Sequence, residues 1–363
     1  MDPLTQRLMM ASSGYFQVIG ALYAWGGNGT GQLGDGTTTL RSVPTLIDSS
    51  RVWSKISAGG THSLSIKNNG TLWAWGENST GELGDGTTIN RSSPVQIGSD
   101  NDWAQASAGV GHTYLIKKNG TLWFTGSEFW VSSTSPIQIG SSSDWRYVSS
   151  GSSHTLFIKT DGTLWSLGIN SSGQLGDGTT INRSSPVQIG SGTNWKQVSA
   201  AGGTAGSHSL AVKTDGTLWA WGNNGSSRLG DGTTTNRLSP VQIGTDTNWD
   251  YVSAGQAFSL ALKKDKTMWS WGLGNRGQTG RPESSVPAMI GADADWKEIS
   301  AGSTHAGAIK TNGTIWMWGS GSSGEIGSGG FIDVFAPLQI LDSSQNGWRS
   351  LSCGSSFNLA LFA

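Results

Sequence analysis

The sequence has little charge and only one cysteine. Charged residues make up 13% of its 363 residues, and the formal net charge is −1. Phosphate backbones are bound by clustered lysine and arginine, and no basic run is present. We therefore expect no direct nucleic-acid partner. Cys353 has no second cysteine for an internal disulfide or a cysteine-based metal site, so a small buried thiol is its expected role.

Long apolar runs and recognisable catalytic motifs are also missing. No stretch reaches the roughly 20 apolar residues that cross a bilayer as a helix. The first 20 residues lack the basic start and apolar run of a signal peptide, which predicts a soluble chain that is not exported by that route. We find no Gly-x-Ser-x-Gly elbow, no paired cysteine and histidine, and no isolated carboxylate pair. The sequence predicts no enzyme activity and no cofactor.

Glycine and tryptophan are abundant instead, with 55 and 19 copies. Thr-Leu-Trp or a close variant recurs in seven units, which start at residues 21, 71, 121, 163, 217, 267 and 314. A second tryptophan precedes a Ser-Ala-Gly-like segment in every unit, at Trp53, Trp103, Trp145, Trp195, Trp249, Trp296 and Trp348. A third landmark is Trp-Gly, and only Trp130 lies outside the pattern. Residues 21–363 thus form seven repeats, preceded by an N-terminal arm at 1–20. We expect this arm either to anchor the chain, as a short helix or an extended segment, or to be disordered.

Each repeat predicts four short strands without a helical period. Between 195 and 243 the predicted strands are Lys196–Ser199, Ser209–Lys213, Thr217–Trp221 and Val241–Ile243. Asp215-Gly216 joins the middle pair and predicts a two-residue type I′ hairpin. The pairs expected across this turn are Val212 with Trp219, Leu210 with Trp221, and Ala211 with Ala220. The resulting sheet would have one bulky face and one small face.

Sheets of this kind stack bulky face on small face, and a ring of such stacks closes. Residues 351–362 supply only the first two strands of a blade, and residues 21–47 supply the last two. We therefore predict an all-β, seven-bladed β-propeller of four-stranded blades. The N- and C-terminal strands would pair within one blade and close the ring.

The repeat resembles a known family at several motifs. These are Ala-Trp-Gly, Gly-Gln-Leu-Gly-Asp-Gly-Thr at 31–37, Pro44, and Ser-Ala-Gly-Gly-Thr-His at 57–62. In this it is similar to the regulator-of-chromosome-condensation repeat. The resemblance implies a propeller scaffold used for nucleotide exchange on a small GTPase, chromatin contact, light sensing and protein binding. An acidic exchange surface cannot be matched here position by position, and a basic chromatin-binding tail is absent.

Three sets of repeated polar residues could carry chemistry. The five histidines share one repeat position with Phe258 and Phe357, which favours packing or loop-tying over a metal ring too wide for bonds of about 2 Å. The Gly-Asp-Gly-Thr loops at Asp35, Asp85, Asp177 and Asp231 favour connecting turns over phosphate or calcium sites. Six lysines share one repeat position just before the hairpin turn. We expect them to be solvated strand ends, and a site for an acidic partner is the less favoured alternative; they are Lys67, Lys117, Lys159, Lys213, Lys263 and Lys310.

Departures from the repeat are the better place to look for function. Phe129 and Trp130 replace a Gly-Gln-Leu-Gly loop, and residues 331–335 are apolar where other repeats carry Thr, Asn and Arg. The polar segments 201–207 and 275–283 are weaker candidates. The predicted partner contacts are Leu4, Leu8, Met9, Phe129, Trp130, Phe331, Ile332 and Phe335.

Near-identical copies at 84–98 and 176–190 indicate recent duplication, a style typical of bacteria or viruses. We predict a non-enzymatic protein-binding or structural module without bound metal. The leading specific hypothesis is a component of a phage virion or a cell surface, held in a larger assembly. The alternative is a soluble cytoplasmic interaction hub or a guanine-nucleotide exchange regulator of a small GTPase.

Overall fold

The computed structural model describes residues 19–202, 207–341 and 346–363. Within them the chain forms 27 β-strands. In chain order these are β1 Gly20–Gly26, β2 Arg41–Ala58, β3 His62–Lys67, β4 Leu72–Gly76, β5 Arg91–Gln96, β6 Trp103–Ala108, β7 His112–Lys117, β8 Leu122–Glu128, β9 Val131–Gln138, β10 Trp145–Ser150, β11 His154–Lys159, β12 Leu164–Gly168, β13 Arg183–Gln188, β14 Trp195–Ala200, β15 His208–Lys213, β16 Leu218–Gly222, β17 Arg237–Gln242, β18 Trp249–Ala254, β19 Phe258–Lys263, β20 Met268–Gly272, β21 Ser284–Met289, β22 Trp296–Ala301, β23 His305–Lys310, β24 Ile315–Gly319, β25 Val334–Gln339, β26 Trp348–Cys353 and β27 Phe357–Phe362.

The strands form seven antiparallel blades of four strands. Blade 1 contains β26, β27, β1 and the first half of β2, and blade 2 contains the second half of β2 with β3 to β5. Blades 3 to 7 are β6–β9, β10–β13, β14–β17, β18–β21 and β22–β25. Because β2 runs for 18 residues through two blades, blades 1 and 2 share one seven-stranded sheet.

Blade 1 closes the ring, as predicted. Its third strand, β1, pairs with the C-terminal β27, with Tyr23 opposite Ala360. On its other side β1 pairs with β2. The first and last strands of the chain are therefore neighbours in one sheet, and the seven-bladed all-β propeller is confirmed.

The predicted hairpin register is wrong by one residue. Leu210 lies opposite Ala220, Ala211 opposite Trp219, and Val212 opposite Leu218. The reason is the turn: Gly216 N donates to Lys213 O at 2.9 Å and Lys213 N donates to Thr217 O at 3.1 Å. Gly216 alone has a positive φ, +81°, so the connection is a three-residue loop, a type I turn closed by a glycine bulge.

The shifted register gives each blade one aliphatic face and one tryptophan face. In blade 5 the aliphatic face carries Leu210, Val212 and Leu218. These side chains pack with Trp249 and Trp271 of blade 6 in one buried cluster. Stacking of aliphatic face on tryptophan face, repeated around the ring, forms the core.

A proline interrupts the outer strand of every blade. The seven are Pro44, Pro94, Pro136, Pro186, Pro240, Pro287 and Pro337. In blade 5 this strand begins four residues before its predicted start, at Arg237. Since proline cannot donate to a sheet ladder, these edges resist the addition of a foreign strand. A partner at the rim would bind through side chains.

Candidate protein-binding surface

The first strand of each of the seven blades is its inner strand, and these inner strands surround a central channel of about 1600 Å³. A closed ring of hydrogen bonds joins these strands, because a serine hydroxyl of each blade accepts the backbone N–H of the next at 2.8–3.0 Å. The acceptors are Ser57, Ser107, Ser149, Ser199, Ser253, Ser300 and Ser352. The Ser-Ala-Gly motif thus has an inter-blade role that the sequence analysis missed, although its serine recurs in every repeat.

Other polar groups of the channel wall also join neighbouring blades. Lys196 pairs with Asp250 at 2.6 Å, and the Gln197 side chain exchanges two hydrogen bonds with the backbone of Val252. Lys55 donates to the carbonyl of Ala104, and burial lowers the pKa of Lys55. These wall groups are occupied in holding the ring together.

Four of the five histidines join neighbouring blades. Nε2 of His62, His154 and His208 lies 2.9 Å from a Ser or Thr hydroxyl of the next blade. His305 meets Asn358 at 2.8 Å. Burial lowers the pKa of His62 to about 3, so its imidazole is neutral at physiological pH. Among the described residues, no cluster of three His, Cys, Asp or Glu could hold a metal ion.

The carboxylates of the Gly-Asp-Gly-Thr loops are saturated by their own loop. Asp231 accepts hydrogen bonds from Thr233 and Asn224 through Oδ1, and Arg237 binds Oδ2 at 2.6 Å. Burial raises the pKa of Asp231, but the bonds from Thr233 and Arg237 outweigh it and lower the pKa overall. Asp35, Asp85 and Asp177 repeat this arrangement. These loops are connecting turns, as predicted.

The interpretation of the lysines as solvated strand ends is wrong. Each ammonium lies against two tryptophan rings of its own blade; Lys213 Nζ is 4.5 Å from the Trp195 centroid and 3.9 Å from the Trp219 centroid. Lys263 also pairs with Asp246 at 2.6 Å. In blade 1 Phe362 takes the position and packs edge-on against Trp348. A cation over an aromatic face is attracted by the ring quadrupole, so these lysines belong to the core edge.

Blade 3 departs from the pattern at a tight hairpin. Glu128 lies opposite Val131, which leaves Phe129 and Trp130 at the tip. Phe129 is 56% exposed. Trp130 is half-buried, with its ring 5.9 Å from that of Phe124. Of this predicted pair, Phe129 is therefore the residue open to a partner.

The second departure lies on the rim of blade 7. Phe331, Ile332 and Phe335 are 53%, 72% and 60% exposed. The Asn-Asp-Thr-Arg cluster of blade 5 is missing here, because Gly321, Ser328, Gly330 and Val334 occupy the corresponding positions. Exposed Val43 of blade 1 lies beside this loop. Its Cγ1 is 3.8 Å from the point where a Cβ would stand if Gly329 were replaced by a larger residue. We call Phe331, Ile332, Phe335 and Val43 the rim patch.

The remaining predicted sites are less informative. Leu4, Leu8 and Met9 lie outside the described residues, as do 203–206 of the segment 201–207. In the segment 275–283 Glu283 accepts a hydrogen bond from Gly274 N at 2.9 Å, and Arg276 lies 3.4 Å from Asp333 beside the rim patch. Within the described ranges, no helix is long and apolar enough to span a membrane.

Family models match this repeat over most of the chain. The regulator of chromosome condensation (RCC1) repeat matches residues 20–66, 69–116, 161–212, 215–262 and 312–361. A second model of the same repeat matches 53–82, 145–174, 249–278 and 296–325. The chain belongs to the RCC1 repeat family. Each match of the first model spans the third and fourth strands of one blade and the first two strands of the next.

Solved RCC1-type propellers share the whole fold. Prp20p from Saccharomyces cerevisiae, studied for its binding to Gsp1p and histones, has a TM-score of 0.84 at 21% identity, covering 95% of this chain and 91% of that chain. Yeast RCC1 (Prp20) bound to Kap60 has a TM-score of 0.85 at 20% identity, covering 98% of this chain and 92% of that chain. Human WBSCR16 has a TM-score of 0.84 at 22% identity, covering 94% of this chain and 98% of that chain. At these identities the likeness shows the fold alone. None of the three is described as a virion or surface component, so the virion hypothesis gains no support.

Proposed function

We propose that this chain is a non-enzymatic RCC1-type propeller that binds a protein partner through the rim patch, with Phe129 as a further contact. The rim patch carries the proposal. Three large apolar side chains stand more than half exposed at positions where blade 4 has Thr180, Ile181 and Ser184. Large apolar side chains exposed close together in one loop mark interaction sites, and aromatic side chains that become buried at an interface dominate binding energy.

The chemistry of the patch defines the partner. Asp333, the charged residue within the loop, is engaged by Arg276 and by the N–H of Gly321. Pro337 interrupts the adjacent outer strand, which disfavours added strands. We therefore expect a folded or helical partner that presents an apolar pocket to Phe335. Leu4, Leu8, Met9 and Trp130 remain predicted contacts of the same partner or of a larger assembly.

The test exchanges the patch for the residues of sibling blades. A variant with Phe331→Thr, Ile332→Thr and Phe335→Ser should fold, since blades 4 and 5 use these residues at the same places. With a partner captured from the native source, we expect at least a tenfold loss of affinity, about 1.4 kcal/mol. The matched control is Ile181→Thr, which removes an exposed apolar side chain from blade 4. Equal affinity for the patch variant and the control would contradict the proposal.

Guanine-nucleotide exchange on a small GTPase is the second candidate function. The full-length likeness to Prp20p, a protein studied with Gsp1p, favours it. The measurement is the release of a fluorescent guanine nucleotide from a panel of small GTPases, together with direct binding to Gsp1p. A rate increase would establish exchange. An unchanged rate with retained partner binding would leave the simple binding module.

A further inference from the structure

One buried polar cluster in blade 3 has no counterpart in the other blades. In three other blades a histidine Nε2 contacts a hydroxyl of the next blade, and that hydroxyl donates to a loop carbonyl, as in His154, Ser209 and Gln174 O. The corresponding pair in blades 3 and 4 is His112 and Thr155. The short hairpin of blade 3 replaces the loop that would supply the carbonyl. The buried Thr155 hydroxyl is accordingly left without a partner among the described residues.

The hairpin of blade 3 instead places a carboxylate, that of Glu128, next to His112. Glu128 Oε1 lies 3.7 Å from His112 Nε2, and both side chains are almost wholly buried. Trp130 Nε1 donates to Oε2 at 3.2 Å. Nε2 of His112 has no hydrogen-bond partner within the described part of the chain. The Tyr114 hydroxyl is close enough to Glu128 to lower the pKa of its carboxyl, but it makes no full hydrogen bond with Oε1.

The direction of the histidine hydrogen bonds identifies what is missing. The backbone of Val110 accepts a hydrogen bond from the His112 ring, and Nε2 is the ring nitrogen left without a partner. A neutral imidazole that donates through Nδ1 presents Nε2 as an acceptor. Oε1 of an ionised glutamate is also an acceptor. Two buried acceptors that face each other repel, and a proton between them removes the repulsion.

We propose that His112 and Glu128 form a buried site for one shared proton, and that loss of this proton opens the 127–131 hairpin that carries Phe129. With the proton present, the Glu128 carboxyl is neutral and can direct its O–H toward Nε2, 3.7 Å away in this structure, and the hairpin stays closed. Without it, a buried carboxylate faces the acceptor Nε2 of His112, and the least costly relief is movement of the hairpin into water. The switch goes beyond the proposed function, since it operates whether or not Phe129 meets a partner.

The surrounding groups do not neutralise the carboxylate. His62 and His154 flank His112 in the neighbouring blades, and burial keeps the pKa of each near 3. Glu82 of blade 2 binds Thr80 through its own carboxylate. The ion pairs of the described residues give Glu128 no lysine or arginine. Burial raises the pKa of Glu128 to about 7, against the lowering influence of Trp130 and Tyr114, and burial lowers that of His112 to about 4.

The sign of the pH effect follows. Glu128 holds its proton more tightly when the hairpin is closed than when it is open, so closure is favoured at acid pH and weakened as the pH rises. With a closed pKa of about 7 and an ordinary value of 4.5 when open, the opening constant should rise roughly 30-fold between about pH 5.5 and 8.5.

Hydrogen exchange measured by mass spectrometry on the full chain tests the proposal. After correction for the intrinsic pH dependence of exchange, the hairpin peptide should show this rise in the native protein. In Glu128→Gln it should change less than about threefold, because the neutral amide does not titrate. Glu82→Gln is the matched control, and the loop 169–182 of blade 4 is the internal reference.

A second readout observes the proton directly. Long-range 1H–15N spectra should show Nε2 of His112, alone among the five histidines, changing its shift near pH 7 in the native chain but not in Glu128→Gln. A flat exchange profile in the native protein, or the same rise in Glu128→Gln, would overturn the proposal. Closure restored at high pH by added divalent metal would also overturn it, because the site would then take a cation.

Discussion

Replacement of Lys213 tests whether the repeated lysines stabilise the blades. Its ammonium lies 4.5 Å from the Trp195 centroid and 3.9 Å from the Trp219 centroid. Each partly desolvated cation–aromatic contact contributes on the order of 0.5–1 kcal/mol, so Lys213→Ala should cost about 1–2 kcal/mol together with the lost packing of the stem. Lys213→Met keeps the stem and loses the charge, so it isolates the cationic share.

The most informative variant is Lys213→Phe. Blade 1 already places Phe362 at this position, with its ring 5.1 Å from that of Trp348. Edge-on aromatic pairs contribute about 0.5–1.5 kcal/mol, close to the contribution of the lysine. We therefore expect a stability within about 0.5 kcal/mol of the native chain.

Reversible urea unfolding, followed by circular dichroism, gives the free energies. The expected order of stability is native and Lys213→Phe, then Lys213→Met, then Lys213→Ala. Native-like stability of Lys213→Met would refute the cationic contribution and leave only the packing of the stem. Lys213→Phe falling below Lys213→Ala would refute the equivalence of the blade positions.

Three further predictions follow from the same geometry. Ser253→Ala removes the acceptor of Ala301 N from the serine ring and should cost about 1–2 kcal/mol in urea unfolding, whereas Ser185→Ala on an outer strand should be neutral. Deletion of 357–363 exposes the edges of β1 and β26 and should abolish the cooperative thermal transition. His62 has a pKa near 3 when folded against an ordinary 6.5, so its neutrality favours folding fully above pH 6.5, and this contribution is lost as the pH falls toward 3. His62→Phe should flatten the acid limb of a stability profile measured by thermal unfolding.

The fold could be predicted because its determinants repeat in the sequence. Three tryptophan landmarks in register fixed the number of blades, and the incomplete repeats at the two ends indicated closure in blade 1. The hairpin register could not be obtained from Asp215-Gly216 alone. Asp215 Oδ1 accepts from the N–H of Thr217 at 2.9 Å and its hydroxyl at 2.7 Å, interactions that accompany the longer loop with one extra residue.

The candidate site was less predictable, because its properties depend on contacts between strands and between blades. The sequence alone predicts Lys213 to be a solvated strand end. The structure shows its ammonium against the rings of Trp195 and Trp219. Glu128 carries no sequence signal, since its burial results from a loop that the repeat has lost. Phe331 and Phe335 could be selected from the sequence because sibling repeats provide an internal comparison, whereas Ile332 matches Ile89 and Ile181 of blades 2 and 4. Their exposure required the structure.

The central claim is that the repeated residues build the propeller and that binding lies where one blade departs from its siblings. Photo-crosslinking in the native source tests it most directly, with the crosslinking residue at Phe335 in one protein and at Ser184, the corresponding residue of blade 4, in the other. We predict crosslinks to another protein from position 335 and not from position 184. Crosslinks of equal yield from both positions, or from 184 alone, would contradict the claim.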